Sequence, residues 1–521
     1  MSQPLSTTIP ALIHQHSKSD NVAAIFDSEK ISYTFAKLTN EMVMLAAGLL
    51  STGLEPGDRV LICGSNNAHF FVSTLACARA GLIFSLMNPN FAKADQLHYA
   101  LKKGEFRAVI CFPANKEAEF LNNLLNEIAP ELRNSAKGHL SSKAIPKLTH
   151  VIMAEEDHRH AGTFTLSEIF GRSNRERIDK LPDYEAWDTH KLAAIQYTTG
   201  TSSPPKLVGL SHYQLINGCR IAAEAIGLER IGALCCALPL FKIPVFALVG
   251  LAPFVTETRV VFPSPSPVPK FLFESVQKYQ CAHLLTNAVA LRLVLRVALT
   301  QKIDFPSIKT VILAGERVPS ELLKSIANQF RNANTIFNGY MLTEVATMPI
   351  MTSEEKSITR SVGKALRGFT IDVVDIGTNV MRENARVGEL RIRPVDGSTF
   401  AGYGPTFDEK LEWINTGDII TIDNSGNVEL LANKEDLIVD KSGKILEHWT
   451  LEKAICAYDQ IKGAQIVTTT KNGPLVAVLV LKSSSCDHNL VKSDIQSFCK
   501  NNKVSVFSKN HSLTYFDLSQ A

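Results

Sequence analysis

Residues 197–212 read YTTGTSSPPKLVGLSH. The apolar run Leu192, Ala193, Ala194 and Ile195 enters this stretch as a buried strand would. Thr198, Thr199, Gly200, Thr201 and Ser202 then crowd hydroxyls around a glycine, and Pro204-Pro205 stiffens the chain before Lys206. Gly200 lets the backbone approach an anion closely, the hydroxyls and loop N–H groups donate to its oxygens, and Lys206 adds a point charge. This is a phosphate grip other than a Walker A loop, because no glycine precedes the lysine and no Ser or Thr follows it. A polar turn between two strands accounts for the same composition and stays open at this point.

Upstream, Ile31 to Tyr33 reads as a short strand, and Leu38, Met42, Leu45 and Leu49 recur at helical spacing up to Gly53. Pro56-Gly57-Asp58 turns into a strand at Val60 to Cys63, a helix runs from Asn67 to Ala80, and Ile83 to Leu86 is a strand again. Helix and strand alternate once more through Leu97 to Lys103 and Arg107 to Phe112. Such alternation predicts a doubly wound α/β layer. Between Ala129 and Lys147 the polar residues Ser135, Gly138, Ser141 and Ser142 predict a surface excursion.

Downstream, strands are expected at Ala233 to Leu238, Val260 to Phe262, His283 to Leu285 and Thr310 to Leu313, with Pro263 to Pro269 as a rigid connector. From Thr370 to Leu431 the pattern changes to short alternating strands, which predicts a small β subdomain. A last αβ unit follows Asn433 to Asp436.

A chain of 521 residues exceeds one hydrophobic core, so two or three units are expected. Its net charge of +3 comes from 54 Lys plus Arg against 51 Asp plus Glu, without a basic stripe, which argues against a nucleic-acid partner. The ten cysteines are scattered without a CxxC pair and read as small buried residues in a reducing, intracellular compartment. The longest apolar stretch, Ile231 to Val255, is interrupted by Lys242 and three prolines, so no membrane span is expected. The first twenty residues carry neither a secretion signal nor a typical transit peptide.

The stretch at 197–212 resembles the signature YTSGTTGxPKGVxLSH of the adenylate-forming superfamily, which includes acyl-CoA synthetases, 4-coumarate–CoA ligases, firefly luciferase and peptide-synthetase adenylation domains. Ser203 and Leu207 stand where that pattern has glycines, which implies a loop of reduced backbone freedom. The resemblance implies an α/β fold with a large N-terminal domain of doubly wound α/β layers plus a small β subdomain, residues 1–432. A small mobile α+β C-terminal domain, residues 433–521, would follow. Local matches at Asn88-Pro89, Leu101-Lys102-Lys103, Ile195-Gln196-Tyr197 and Ser211-His212-Tyr213 look most like the animal medium-chain acyl-CoA synthetases. That likeness implies the mitochondrion, with the cytosol as the alternative.

Other family motifs then fall into place as resemblances. Leu238-Pro239-Leu240-Phe241-Lys242 resembles LPxFH, which implies that Phe241 and Lys242 line the acyl pocket, although a lysine there also reads as a stem reaching for the rim. Ala314-Gly315-Glu316-Arg317 stands where the family has a turn against adenine, and a plain strand-to-helix turn fits it equally. Asn338-Gly339-Tyr340-Met341-Leu342-Thr343-Glu344 resembles (Q/N)GYGxTE, which implies Tyr340 on adenine, Thr343 on phosphate and Glu344 on Mg²⁺. A hard cation bridging phosphates favours such an oxygen ligand. Thr416-Gly417-Asp418 resembles the TGD element that holds the ribose, and Asn433 occupies the place of the family arginine in GRxKDxI. Phe498-Cys499-Lys500 matches the approach to a PxxxSGK segment that does not follow, which implies a slow adenylation half-reaction.

The implied activity joins a fatty acid to coenzyme A at the expense of ATP, through an acyl-AMP intermediate, with Lys206, Thr343 and Glu344 as its catalytic residues. A non-catalytic paralogue that binds nucleotide or acyl ligand or acts as a scaffold, and another adenylate-using reaction such as luciferase-like oxygenation, remain as alternatives. The expected partners are small molecules: fatty acid, ATP and CoA.

Overall fold

Helix Ala68–Ala80, AHFFVSTLACARA, is apolar around most of its circumference and therefore has to be buried on nearly every side. Two sheets supply the cover. Phe71 packs against Phe26 and Phe262 of one sheet at ring separations of 5.9 and 6.2 Å, while Phe70 meets Phe112 beyond a strand of the other at 5.9 Å. Phe246 closes the cluster by touching both Phe71 and Phe84. Large aromatic side chains dominate core energetics, and here they bind the two sheets to one helix.

The computed structural model describes residues 3–90, 94–113, 122–158, 160–198, 205–228, 232–266, 268–315, 318, 320–352, 361–376, 387–395, 401–407, 411–439, 445–446, 448, 452, 455–458, 461–468, 475–481 and 512–513. Its nine-stranded sheet runs in the order Lys364–Ala365, Thr347–Met351, Thr335–Leu342, Thr310–Ala314, His283–Thr286, Ala233–Cys236, Arg259–Phe262, Val22–Phe26, Ile31–Thr34. The six strands from Thr335–Leu342 to Val22–Phe26 are mutually parallel. The seven-stranded sheet runs Phe164–Thr165, His150–Met153, Ala108–Cys111, Arg59–Cys63, Ile83–Met87, Leu192–Tyr197, Leu207–Ser211, and only the last strand is antiparallel to its neighbour. Parallel strands covered on both faces carry unbroken apolar runs, and TVILA of Thr310–Ala314 is buried along its whole length.

This is the doubly wound α/β architecture that the alternation predicts. The short strands after Thr370 form a four-stranded sheet in the order Phe369–Val374, Val387–Pro394, Ile414–Ile422, Val428–Asn433. Two compact units divide the chain: 1–372 with 391–415 and 423–429, and 373–390 with 416–422 and 430–521. In the second unit, Ile461–Thr468 and Leu475–Leu481 pair antiparallel, and Ser512–Leu513 lies parallel beside the latter.

Two expectations need correction. Residues 129–147 are not merely a surface excursion, because Leu132, Leu140 and Ile145 are buried in the core under the seven-stranded sheet. The polar composition hid three apolar anchors spaced too irregularly to signal a helix or strand. Of the described cysteines seven are buried and Cys456 is exposed. Among the described residues no helix is long and apolar enough to cross a membrane.

Helix Phe35–Leu50 approaches helix Leu166–Gly171 so closely at Gly48 that an added Cβ would lie 2.1 Å from the Ile169 carbonyl oxygen. A backbone atom cannot turn aside as a side chain can. Gly48→Ala should therefore cost about 1–3 kcal/mol in urea unfolding through overpacking, whereas an alanine tolerated without loss would show that the two helices separate easily.

Candidate functional site

In a parallel sheet the carboxyl ends of the strands open onto the crevice where ligands bind. Strand Thr310–Ala314 ends at Gly315, whose φ of +90° suits glycine. Ala314 is in register with Gly339, so the turn at 315 and the segment Asn338-Gly339-Tyr340 lie on adjacent strands. Strand Thr335–Leu342 then runs into a short 3-10 turn, Thr343–Val345, which carries Thr343 and Glu344. The two resemblances at 314–317 and 338–344 thus meet at one sheet edge.

The strands before and after the stretch 198–206 form a hairpin, with Lys206 at its base. Leu192–Tyr197 and Leu207–Ser211 pair antiparallel with Tyr197 opposite Leu207. Thr198 closes its base twice: its N–H donates to the Lys206 carbonyl at 2.9 Å, and its hydroxyl accepts from the Lys206 N–H at 3.0 Å. Thr199, Gly200, Thr201 and Ser202 lie outside the described residues, as do Glu316, Arg317 and the segment around Phe498-Cys499-Lys500. Leu207, expected to restrict the grip, is a fully buried strand residue in the core and does not sit in the loop.

Tyr403, which the sequence reading passed over, links the pieces. The Lys206 ammonium lies 4.9 Å from the centre of its ring, and its hydroxyl donates to Glu344 Oε1 at 3.1 Å. Glu344 is buried, so that hydroxyl compensates part of the cost of taking a carboxylate out of water. The backbone fixes the ring's place, because Gly209 N–H donates to Gly402 and Gly404 N–H donates to Leu207, on either side of Tyr403. A cation and a carboxylate 138 residues apart are thereby gathered at one aromatic ring.

Asn338 is also buried; its backbone N–H donates to Thr352 and its amide to the Ser361 carbonyl. Its Oδ1 accepts from no described group. Such an orphaned acceptor is unusual in a folded interior and suits a ligand donor. Tyr340 itself is buried in the sheet.

Lys242 begins the helical run after strand Ala233–Cys236, and its ammonium lies 3.7 Å from where a Cβ on Gly315 would stand. Asn66 pins the turn that carries it, accepting from Leu240 N–H at 2.8 Å and donating to the Leu238 carbonyl at 3.0 Å. The Gln196 amide donates to the carbonyls of Leu86 at 2.8 Å and Phe241 at 3.5 Å. Phe241 and Lys242 therefore sit where the edges of both sheets meet. No sequence signal marks the pinning role of Asn66, an amide after an apolar strand, or of Gln196, a lone amide within one.

The second unit holds its own polar cluster. Asp418 Oδ1 accepts from the Asn433 amide at 3.2 Å, and Lys434 donates to the buried Glu389 at 2.7 Å. Asn433 also caps the 3-10 turn Lys434–Asp436 by accepting from Glu435 N–H. Its contact with Asp418 is neutral-to-charged, and the nearby cation is held by Glu389.

His212, which ends the opening stretch, is structural. Its Nδ1 accepts from Ile9 N–H at 3.3 Å and anchors the N-terminal helix Ile9–His14. Burial and the nearby Lys191 charge push its pKa down to about 4, and burial with Lys309 does the same for His283. Burial pushes the Cys111 and Cys236 thiols up to about 12, so neither supplies a thiolate nucleophile. Among the described residues no three His, Cys, Asp or Glu side chains gather into a metal site.

A family model described as AMP-binding enzyme matches residues 13–403. The curated protein "Medium-chain acyl-CoA ligase ACSF2, mitochondrial" of Bos taurus is 27% identical over 528 residues, covering 94% of this chain and 80% of its own length. The anthranilate CoA ligase AuaEII in complex with anthranoyl-AMP superposes with a TM-score of 0.79 at 16% identity, covering 99% of this chain and 95% of its own. ATP-bound MatB from Rhodopseudomonas palustris gives 0.78 at 18%, covering 98% and 95%. At such identities the two structures speak for the fold.

His212 and His283 fold in the neutral form, so the unfolded chain takes up protons that the folded chain refuses as pH falls below 6.5 toward about 4. Stability from these groups is complete above that window and should decline within it by about 1.4 kcal/mol per pH unit for each histidine. His212→Asn, which keeps an acceptor for Ile9 N–H but does not titrate, should remove about half of that slope in urea unfolding across the window. An unchanged slope would show that His212 is already protonated in the fold.

Proposed function

The chain belongs to the AMP-binding enzyme family, and from that premise we propose that it is an acid–thiol ligase joining a medium-chain fatty acid to coenzyme A at the expense of ATP. The observation that carries this reading is the gathering of Lys206 and Glu344 on Tyr403 at the carboxyl edge of the parallel sheet. A ligase of this kind needs a cation and a carboxylate at one place, the first for phosphate charge and the second for a metal. The names of the curated relatives support the acyl substrate, its medium length and the mitochondrion as compartment.

The residues present fit ATP and Mg²⁺. Asn338 Oδ1 would serve as a buried acceptor for the amino group of adenine, and of the described surrounding groups only the Lys242 ammonium comes within 4 Å of where a Cβ on Gly315 would stand. The family likeness would give the ribose hydroxyls to Asp418, whose carboxylate has two acceptor oxygens. Glu344 would hold Mg²⁺, which when bound would neutralise phosphate charge; one carboxylate suffices, since this ion completes its shell with phosphate oxygens and water.

In the first half-reaction the acid's carboxylate oxygen forms a bond to the α-phosphorus, and the bond to the bridging oxygen breaks as pyrophosphate leaves with the electron pair. Lys206 stabilises the charge on the departing group, and the Tyr403 ring biases the direction of its exposed ammonium. Thr343 donates its hydroxyl to the α-phosphate. In the second half-reaction the thiolate sulfur of CoA attacks the acyl carbon and AMP departs. No covalent enzyme nucleophile is required, in keeping with the raised cysteine pKa values.

A second reading, nucleotide binding with weak turnover, is favoured by one contact. Asn433, which donates to Asp418, stands where the family pattern has an arginine, and an amide brings neither the charge nor the donor fork of a guanidinium.

ATP–pyrophosphate exchange and thioester formation with a panel of short, medium and long straight-chain acids test the proposal. Medium-chain acids should give exchange, and Lys206→Ala should reduce it about 10²–10³-fold with the fold intact. Glu344→Gln should weaken magnesium-dependent ATP binding about tenfold while leaving binding in EDTA unchanged. Nucleotide binding without exchange for any acid would sink the ligase reading and leave the second one.

A further inference from the structure

Helix Ala288–Gln301, AVALRLVLRVALTQ, contains two arginines and no acidic residue. Its inner face is accounted for: Ala288, Leu291, Val294, Leu295 and Ala298 are buried in the core of the nine-stranded sheet. The outer face is not what a water-facing helix carries. Val289 is 64% exposed, Leu293 49% and Leu299 65%, and Arg292 and Arg296 stand exposed between them. The neighbouring helix Pro269–Tyr279 adds to the patch at its entrance, where Val268 is 40% and Phe271 37% exposed. Val268 and Leu272 share a small cavity with Ala290 and Val294, so the two helices present these residues side by side.

These residues include most of the large exposed hydrophobic side chains among the described residues: five of the eight lie on this face. Single exposed apolar residues need no explanation, but a cluster rimmed by charge marks an interaction surface. Large apolar side chains interleaved with arginine, without acid, are the profile of a helix that lies in the plane of a bilayer surface, its apolar residues among the acyl chains and its arginines at anionic headgroups. At 14 residues the helix is too short to span.

We propose that the face formed by Ala288–Gln301 and the start of Pro269–Tyr279 docks the protein peripherally on an anionic phospholipid surface. Charge complementarity selects this occupant. Arg292 and Arg296 project from the apolar face itself, and Lys302 follows at the end of the helix.

The test is co-sedimentation of the full chain with phosphatidylcholine vesicles, with and without phosphatidylglycerol. Binding should require phosphatidylglycerol and fade as salt is raised. Arg292→Ala with Arg296→Ala should weaken it about 25-fold, since each basic residue near such a surface contributes roughly fivefold. Leu293→Glu should weaken it further. All three positions are exposed, so the fold should survive, and urea unfolding checks that it does. Equal sedimentation with both vesicle types, or binding that ignores the substitutions, would overturn the proposal. So would a dimer in ultracentrifugation that Leu293→Glu dissolves, because the face would then belong to a second copy. Turnover is not read, so these outcomes are independent of the ligase reading.

Discussion

The ring and hydroxyl of Tyr403 hold an ammonium and a carboxylate that sequence places far apart, and the remainder of the site depends on that arrangement. A lysine at the base of a hairpin is otherwise mobile, with several rotatable bonds of entropy to lose. A cation over an aromatic face gains roughly 0.5–2 kcal/mol, enough to bias its direction without immobilising it. Glu344 needs the opposite service: it is buried, and without a donor its charge would be costly. Tyr403 serves both because backbone hydrogen bonds to Leu207 and Gly209 flank it.

Those hydrogen bonds exist only because of the fold. Strand Leu207–Ser211 is the antiparallel edge of the seven-stranded sheet, and an edge strand offers unpaired backbone groups. Segment 402–404 takes them up and is drawn against the strand that begins just after Lys206. On the other sheet, the register that sets Ala314 beside Gly339 brings the turn at 315 next to Asn338 and the Thr343–Val345 turn. Asn66 and Gln196 then pin the Leu238–Lys242 turn to the first sheet's edge, so three motifs remote in sequence share one crevice.

Much of this was legible before the structure. Periodicity located the strands and helices because parallel strands buried on both faces leave continuous apolar runs, and Gly81 and Gly53 marked helix ends by their chemistry. The clustering of hydroxyls before Lys206 pointed to a stretch of which the structure describes only the base, Thr198 and Lys206. What periodicity cannot reveal is partnership: Val22–Phe26 and Ile31–Thr34, first in the chain, join the sheet made by residues after 230. Tyr403, Asn66 and Gln196 were missed for the same reason, since each acts through a contact across more than 40 residues. His212, which closes the signature, anchors an N-terminal helix.

A double-mutant cycle on MgATP affinity, built from Lys206→Met and Glu344→Gln in the presence and absence of Tyr403→Phe, tests most directly whether these groups act as one unit. If they do, the two substitutions should be non-additive by about 1 kcal/mol or more with Tyr403 in place, and the coupling should shrink when its hydroxyl is removed. Additivity within about 0.3 kcal/mol in both backgrounds would show that Lys206 and Glu344 meet the nucleotide independently and would contradict the account.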